Sequence, residues 1–422
     1  MTDAWPESQE YLARSLFRRP ESDLEFIFAS AKEIERILVG ETLVLIPCHV
    51  GDVSAAVHTS ELICVQGAPV CIFVNCLVDE QGEDEFEEVI EKCRELSAYV
   101  EKSTGVPIVV IGRRHGKTRL MGAVRGIVSD AAIVAMLNRG MTSNIAFVDA
   151  DTLDVSPEYI RSLTDAFAHS RPMMVTGPVH YGVKPCGEPC NRRGTSIPEL
   201  TLADRVNQAI LRCARDGEIN FERRVWPEGA SFAFDATSYC RVNGFDWDLS
   251  CGEDDAFGRV MHRFNPQAFA RPVRGFEAVY ETRFSNIAFI PEAWLVTDPR
   301  RHLNAIALGG GGTEAWDLTP FDEASGHNLS GAELERHYDA HKDRITWAKL
   351  LAWEAQSISI DSWGADRVVK LVKRMLQADR RIRNAAQCAN VWKRLGFANG
   401  EPASTAESQT MEVCGHLLRT HS

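Results

Sequence analysis

Ile145-Ala146-Phe147-Val148-Asp149-Ala150-Asp151-Thr152 runs an apolar strand straight into two carboxylates one residue apart. Side chains alternate faces along an extended chain, so Asp149 and Asp151 can share a side while Ala150 turns back toward the core. Two carboxylates at one strand end repel each other unless positive charge sits between them. A hard divalent cation, Mg²⁺ or Mn²⁺, meets that need, keeping waters and taking further oxygen ligands from a substrate phosphate. The competing reading is a solvated turn that closes a strand, and for an isolated D-x-D that plain reading is the commoner one. The neighbouring motifs decide between them.

Strands and helices alternate around this stretch. The pattern predicts strands over 41–47, 69–75, 107–111 and 144–148, with helices over 52–66, up to about 103 after the acidic segment 79–88, and 118–139. Such alternation implies a mostly parallel sheet covered by helices on both faces, with ligands bound where strands end and loops converge. Asp149 and Asp151 sit at such an end, as do Pro47-Cys48-His49, Asn75 and Gly112–Lys117. Residues 8–39 read as a polar helical stretch. A further strand is expected over 172–178, then a proline- and glycine-rich loop over 182–198 and a helix over 201–215. Short strands and turns are expected over 227–245, and a helix over 254–263. The chain therefore divides into an N-terminal helical segment (1–40), an α/β domain (41–305) and a mainly helical C-terminal extension (306–422).

Composition sets bounds. With 422 residues, 45% hydrophobic and 25% charged, the chain has the make-up of an ordinary globular protein. A net charge of −13 argues against a general nucleic-acid binder. The N-terminus shows no basic region followed by an apolar run, and no 18-residue apolar run occurs, so neither a signal peptide nor a membrane span is expected. The 12 cysteines then read as reduced thiols of a cytoplasmic protein.

The segment Gly112-Arg113-Arg114-His115-Gly116-Lys117-Thr118 imitates a Walker A loop but has three residues between its glycines where four are needed. Its cations, with Arg125 one to two turns into the next helix, suit a diphosphate through charge-assisted hydrogen bonds. Gly252-Glu253-Asp254-Asp255 puts consecutive acids at a helix start, either as a dipole-stabilised cap or as a general base. Upstream, Trp226-Pro227-Glu228-Gly229-Ala230-Ser231 would let a small substrate approach the backbone. Cys186 and Cys190 lack the second ligand pair of a structural zinc site. Residues 366–386 form a basic amphipathic pattern, which more often packs on its own domain or a partner subunit than on an anionic membrane. A homo-oligomer and a peripheral membrane contact are both compatible with it.

Taken in order, the proline-ended first strand, Asn75, the G-K segment, V-D-A-D-T, E-G-A-S-F-A-F, V-N-G-F-D and G-E-D-D resemble glycosyltransferase family 2 and its GT-A-fold relatives. The match spans roughly residues 42–300. The resemblance implies a Rossmann-like GT-A sheet sandwiched by helices and a nucleoside-diphosphate sugar donor of UDP or GDP type. Pro47, His49 and Asp52 then line the nucleotide pocket, although His49 replaces the usual aromatic residue. Asn75 stands where the family often has an acid that contacts the base. Lys117 and Arg125 approach the diphosphate. Asp149 and Asp151 form the D-x-D pair, one near the ribose and both available to Mg²⁺ or Mn²⁺. Gly229 and Ala230 belong to the acceptor-side loop. Glu253 and Asp254 form the catalytic pair, with Asp254 as the base of an inverting transfer to an acceptor hydroxyl. His302 or Asp298 would complete the metal shell. Ala256 replaces a further aspartate, and the Q-x-x-R-W motif of processive synthases is absent, so transfer of a single sugar is expected. Three alternatives stand beside it: a retaining transferase of the glycosylglycerate type, a sugar-phosphate nucleotidyltransferase, and a non-catalytic protein that kept the fold and binds nucleotide without hydrolysing donor. The second normally has a Gly-rich loop with Arg after the first strand, where this chain has Pro47-Cys48-His49.

Overall fold

The first two strands are apolar along most of their length because both of their faces are covered. The computed structural model describes residues 6–116, 120–170, 172–183, 195–196, 229–249, 252–264 and 286–298. The chain divides into two compact units, residues 1–179, 225–273 and 282–295 in the first, and 180–224, 274–281 and 296–422 in the second.

The first unit holds a seven-stranded sheet. In chain order its strands are β1 (Thr42–His49), β2 (Val70–Leu77), β3 (Ile108–His115), β4 (Asn144–Val148), β6 (Met174–Thr176), β9 (Ser231–Asp235) and β10 (Ile287–Phe289). They lie in the order β10-β6-β9-β4-β1-β2-β3. All the pairings are parallel except those of β9, which runs against both β4 and β6. That reversal matters for the site: β9 begins, rather than ends, at the rim where β4 stops.

Alternation sorts the strand residues into two layers. Val44, Ile46, Val70, Ile72, Val74, Ala146 and Val148 join one buried cluster with residues of helices α3 (Val53–Cys64), α4 (Glu83–Thr104) and α6 (Tyr159–Ser170). Phe147, Phe232 and Phe234 point the other way, into an aromatic cluster with Tyr239, Phe245 and Phe257. Helix α5 (Met121–Arg139) lies on that face and is buried from Val124 to Met136. By length and composition α5 could cross a membrane, but 78% of the qualifying window is buried inside the protein. It is a core helix that carries Arg125 and Asp130.

Helices α1 (Pro6–Arg14) and α2 (Glu21–Glu35) also belong to this unit. The Tyr11 hydroxyl donates to Asp130 Oδ1 at 2.5 Å, and Tyr239, on the short helix α7 (Ala236–Arg241), donates to the same oxygen at 2.7 Å. Three elements are thereby tied to one buried carboxylate.

Several expectations need adjusting. β3 continues through Gly112-Arg113-Arg114-His115, paired to Val74, Asn75, Cys76 and Leu77, so the Walker-like segment is largely strand rather than phosphate loop. Arg113 pairs with Asp23 of α2 and lies over Phe26, and Arg114 donates to the Val78 carbonyl, so both are engaged with the fold itself rather than open to a diphosphate. Residues 236–241 form a helix, N-capped by Asp235, where strand and turn were expected. β5 (Thr152–Val155) follows directly on the D-x-D turn, and helix α8 covers Glu253–Phe264.

In the second unit the described part includes a short antiparallel pairing of β7 (Val179–Val183) with β8 (Thr195–Ser196), Gly182 opposite Ser196. β11 (Leu295–Thr297) closes the described chain. The expected loop over 182–198 falls mostly outside the described residues. The helix over 201–215, the Cys186/Cys190 pair, the basic pattern over 366–386 and the extension from 306 onward lie wholly outside them.

Candidate functional site

The β4 strand delivers Asp149 to the carboxyl rim of the sheet, and a tight turn follows. Thr152 closes it, its backbone N–H and hydroxyl both donating to the Asp149 carbonyl at 3.2 and 2.8 Å. From α3, the buried Thr59 hydroxyl donates to the Ala150 carbonyl at 2.8 Å and lies 3.2 Å from that of Thr152. The turn is thus clamped from behind, and Asp149 and Asp151 are left partly exposed.

Because β9 starts at the same rim, Gly229 and Ala230 arrive beside Asp149, whose N–H donates to the Ala230 carbonyl at 3.3 Å. Behind them, Ser231 shares a 2.8 Å hydrogen bond with Tyr159, whose hydroxyl pKa burial pushes up.

Arg125 gathers these pieces. Its side chain is 3% exposed, and its Nη2 donates to Asp149 Oδ1 at 3.1 Å and to the Gly229 carbonyl at 2.8 Å. Its Nη1 lies 2.9 Å from Glu253 Oε1, at an angle that makes this an ion pair rather than an aligned hydrogen bond. The guanidinium sits over Phe147 and Phe232, 5.5 and 5.3 Å from their ring centres. Burial alone would lower its pKa, but Glu253, Asp149 and Asp254 outweigh that and raise it, so the group stays charged.

Helix α8 contributes the other acids. The Glu253 carboxyl is raised to about 7, first by burial and further by neighbouring Asp254, against the lowering effect of Arg125. Asp254 is less buried and reaches the same spot from the next position. A Cβ placed on Gly229 would lie 3.1 Å from Asp254 Oδ2 and 3.0 Å from Arg125 Nη2. Acids about one hundred residues apart in sequence therefore converge on one guanidinium and one glycine.

The remaining sequence candidates lie along the same rim or beyond it. His49 ends β1, opposite Asn75 on β2; its ring lies 3.2 Å from Glu80 Oε2 and accepts from the Gly51 N–H at 3.3 Å. Asn75 is buried and donates to the Cys48 carbonyl at 2.8 Å. Pro47 is buried in β1, and Asp52 is half-exposed in the turn before α3. Lys117 and His302 lie outside the described residues.

Sequence reasoning missed the parts that bring α8 to Arg125. A Cβ on Gly122 would sit 1.9 Å from the Asp246 carbonyl oxygen, and one on Gly126 would sit 1.9 Å from Trp247 Nε1. The two glycines lie four apart on one face of α5: Gly122 lets the 246–249 backbone lie directly on the helix, its N–H donating to the Leu249 carbonyl at 2.9 Å, and Gly126 makes room for the Trp247 indole. The G-x-x-x-G spacing was the available signal.

Among the described residues, no group of three or more His, Cys, Asp or Glu side chains is placed to hold a metal ion. Asp149 and Asp151 supply hard carboxylate oxygens two positions apart on one clamped turn, with Asp149 Oδ1 also accepting from Arg125. That donor set fits Mg²⁺ or Mn²⁺ that retains waters and phosphate oxygens, and it does not fit an all-protein cage. A groove of about 530 Å³ between α2, α4 and β3 shares no residue with the acid cluster.

No protein-family model and no curated protein matches this chain. Among solved structures, it is similar to one described as UDP-glucose pyrophosphorylase complexed with UDP-glucose, at 11% identity and a TM-score of 0.20. The match covers 35% of this chain and 65% of that one, an overlap too small to carry fold or activity across.

Proposed function

We propose that this chain is a GT-A-type glycosyltransferase that moves a single sugar from a nucleoside-diphosphate sugar to an acceptor hydroxyl. The observation that supports this reading is the convergence on Arg125 of Asp149, from the end of β4, and Glu253-Asp254, from the start of α8. Transfer would require donor-side and acceptor-side acids to share one space, and the convergence of these acids on Arg125 supports that assignment.

In this reading Asp149 and Asp151 would hold Mg²⁺ or Mn²⁺ against the diphosphate. When bound, the cation would offset the charge that develops on the leaving group. Asp254 takes the proton from the acceptor hydroxyl. The acceptor oxygen bonds to the anomeric carbon as the bond from that carbon to the diphosphate oxygen breaks, its electron pair leaving with the nucleoside diphosphate. Glu253 is buried and paired to Arg125, so Asp254 is the one of the two that can meet an acceptor.

A thermal-shift screen against UDP, GDP, ADP and dTDP, with and without Mn²⁺, tests the donor side. A diphosphate at one hundred times its Kd adds about 2.7 kcal/mol of stability, and the expected gain depends on Mn²⁺. No shift with any of the four removes the proposal. Release of pyrophosphate from a nucleoside triphosphate and a sugar phosphate would replace it with nucleotidyl transfer.

A further inference from the structure

Arg125 is too deeply buried to serve a substrate phosphate. Its Nη2 is shared between Asp149 and the Gly229 carbonyl, its Nη1 faces Glu253, two phenylalanine rings lie beneath it, and only 3% of the side chain is exposed. Nε and Nη1 make no aligned hydrogen bond but are buried, so a diphosphate could reach the group only by displacing the residues packed around it, the Nη2 bonds and the Glu253 ion pair among them. Its planar fork instead spans the two halves of the site, with one arm toward the β4 rim and the other toward α8.

We infer that Arg125 is a positioning residue: it holds Glu253, and through it places Asp254 against Gly229 at a set distance from Asp149, without touching the donor. This rests on the transfer reading above. Gly229 is part of the same device, because any side chain there would intrude between the guanidinium and the Asp254 carboxylate. Lysine cannot substitute, since a point charge on a flexible stem does not reproduce the two-armed geometry.

The test uses the full chain with UDP- and GDP-hexoses and Mn²⁺, with water as acceptor and release of nucleoside diphosphate as the readout. Water oxygen then bonds to the anomeric carbon, and Asp254 accepts the water proton. Arg125→Lys is expected to lower kcat by about 10²-fold, the size of a misplacement near 1 Å, with donor KM little changed. Glu253→Gln should act the same way, and the double variant should lose no more than the worse single one, because both act through one link. Gly229→Ala leaves every charge in place and serves if Arg125→Lys does not fold; it should also lose kcat at constant KM. A rise in KM alone for Arg125→Lys, losses that multiply in the double variant, or normal kcat in Gly229→Ala would each overturn the positioning role. Wild-type protein that turns over no donor counts against transfer itself, whereas wild-type turnover with an Arg125→Lys defect confined to KM counts only against this inference.

Discussion

Asp151 and Asp254 separate the two halves of the proposed chemistry, one on the clamped turn after β4 and the other at the start of α8. Asp151→Ala is expected to remove the Mn²⁺-dependent part of nucleoside diphosphate binding, as measured by calorimetry; unchanged affinity would end the metal assignment. Asp254→Asn should leave that binding intact while turnover falls by roughly 10²–10⁴-fold, the usual size of a general-base contribution. Both positions were readable from sequence because a D-x-D after an apolar strand and acids after a glycine are local patterns. The state of Arg125 was not. Its cationic side chain, one to two turns into a helix, reads from sequence as a ligand contact, and only the three-dimensional arrangement of Asp149, Gly229 and Glu253 shows it engaged inside the protein.

Helix α5 shows how an element can do two jobs through small residues. Gly122 and Gly126 admit the 246–249 segment onto the helix surface, and that segment leads within four residues to Glu253. Gly122→Ala would drive a methyl group into the Asp246 backbone, which cannot swing aside as a side-chain end could. Overpacking of this kind costs about 1–3 kcal/mol. A lowered Tm together with lost turnover is expected, and normal values for both would show that the contact yields easily. Element types and most boundaries followed from apolar periodicity, because parallel strands covered on both faces leave a continuous apolar run. The extension of β3 through Arg113, Arg114 and His115 did not follow. Those side chains are polar, and only the pairing to β2 and the Asp23 partner make strand the favourable state there.

Across the first unit, the buried Asp130 couples folding to pH. Burial raises its carboxyl from 3.8 to about 6, against the lowering effect of the Tyr11 and Tyr239 hydrogen bonds. The native state therefore holds a proton that the unfolded chain has already released between those values. This contribution is fully present below pH 3.8 and is lost as pH rises through about 6. Its size is about 3 kcal/mol from the pKa difference. Denaturant unfolding followed from pH 4 to 7 should show a stability component that declines with pH, and Asp130→Asn should flatten it. An unchanged slope in that variant would assign the pH dependence elsewhere. Sequence gave no hint of this tie, since Tyr11, Asp130 and Tyr239 belong to three distant helices and carry no shared pattern.

The reversed direction of β9 has a consequence for how such a protein can change. β6 reaches the rim at Thr176 and the chain re-enters the sheet from that rim at Gly229, so the polypeptide between them departs and returns on one edge. β6 and β9 pair directly, Met174 opposite Phe234 and Thr176 opposite Phe232, so their register does not depend on how many residues separate Val183 from Gly229. A chimaera exchanged between positions 184 and 228 is therefore expected to keep the pairing of all seven strands, checked by an unchanged Tm.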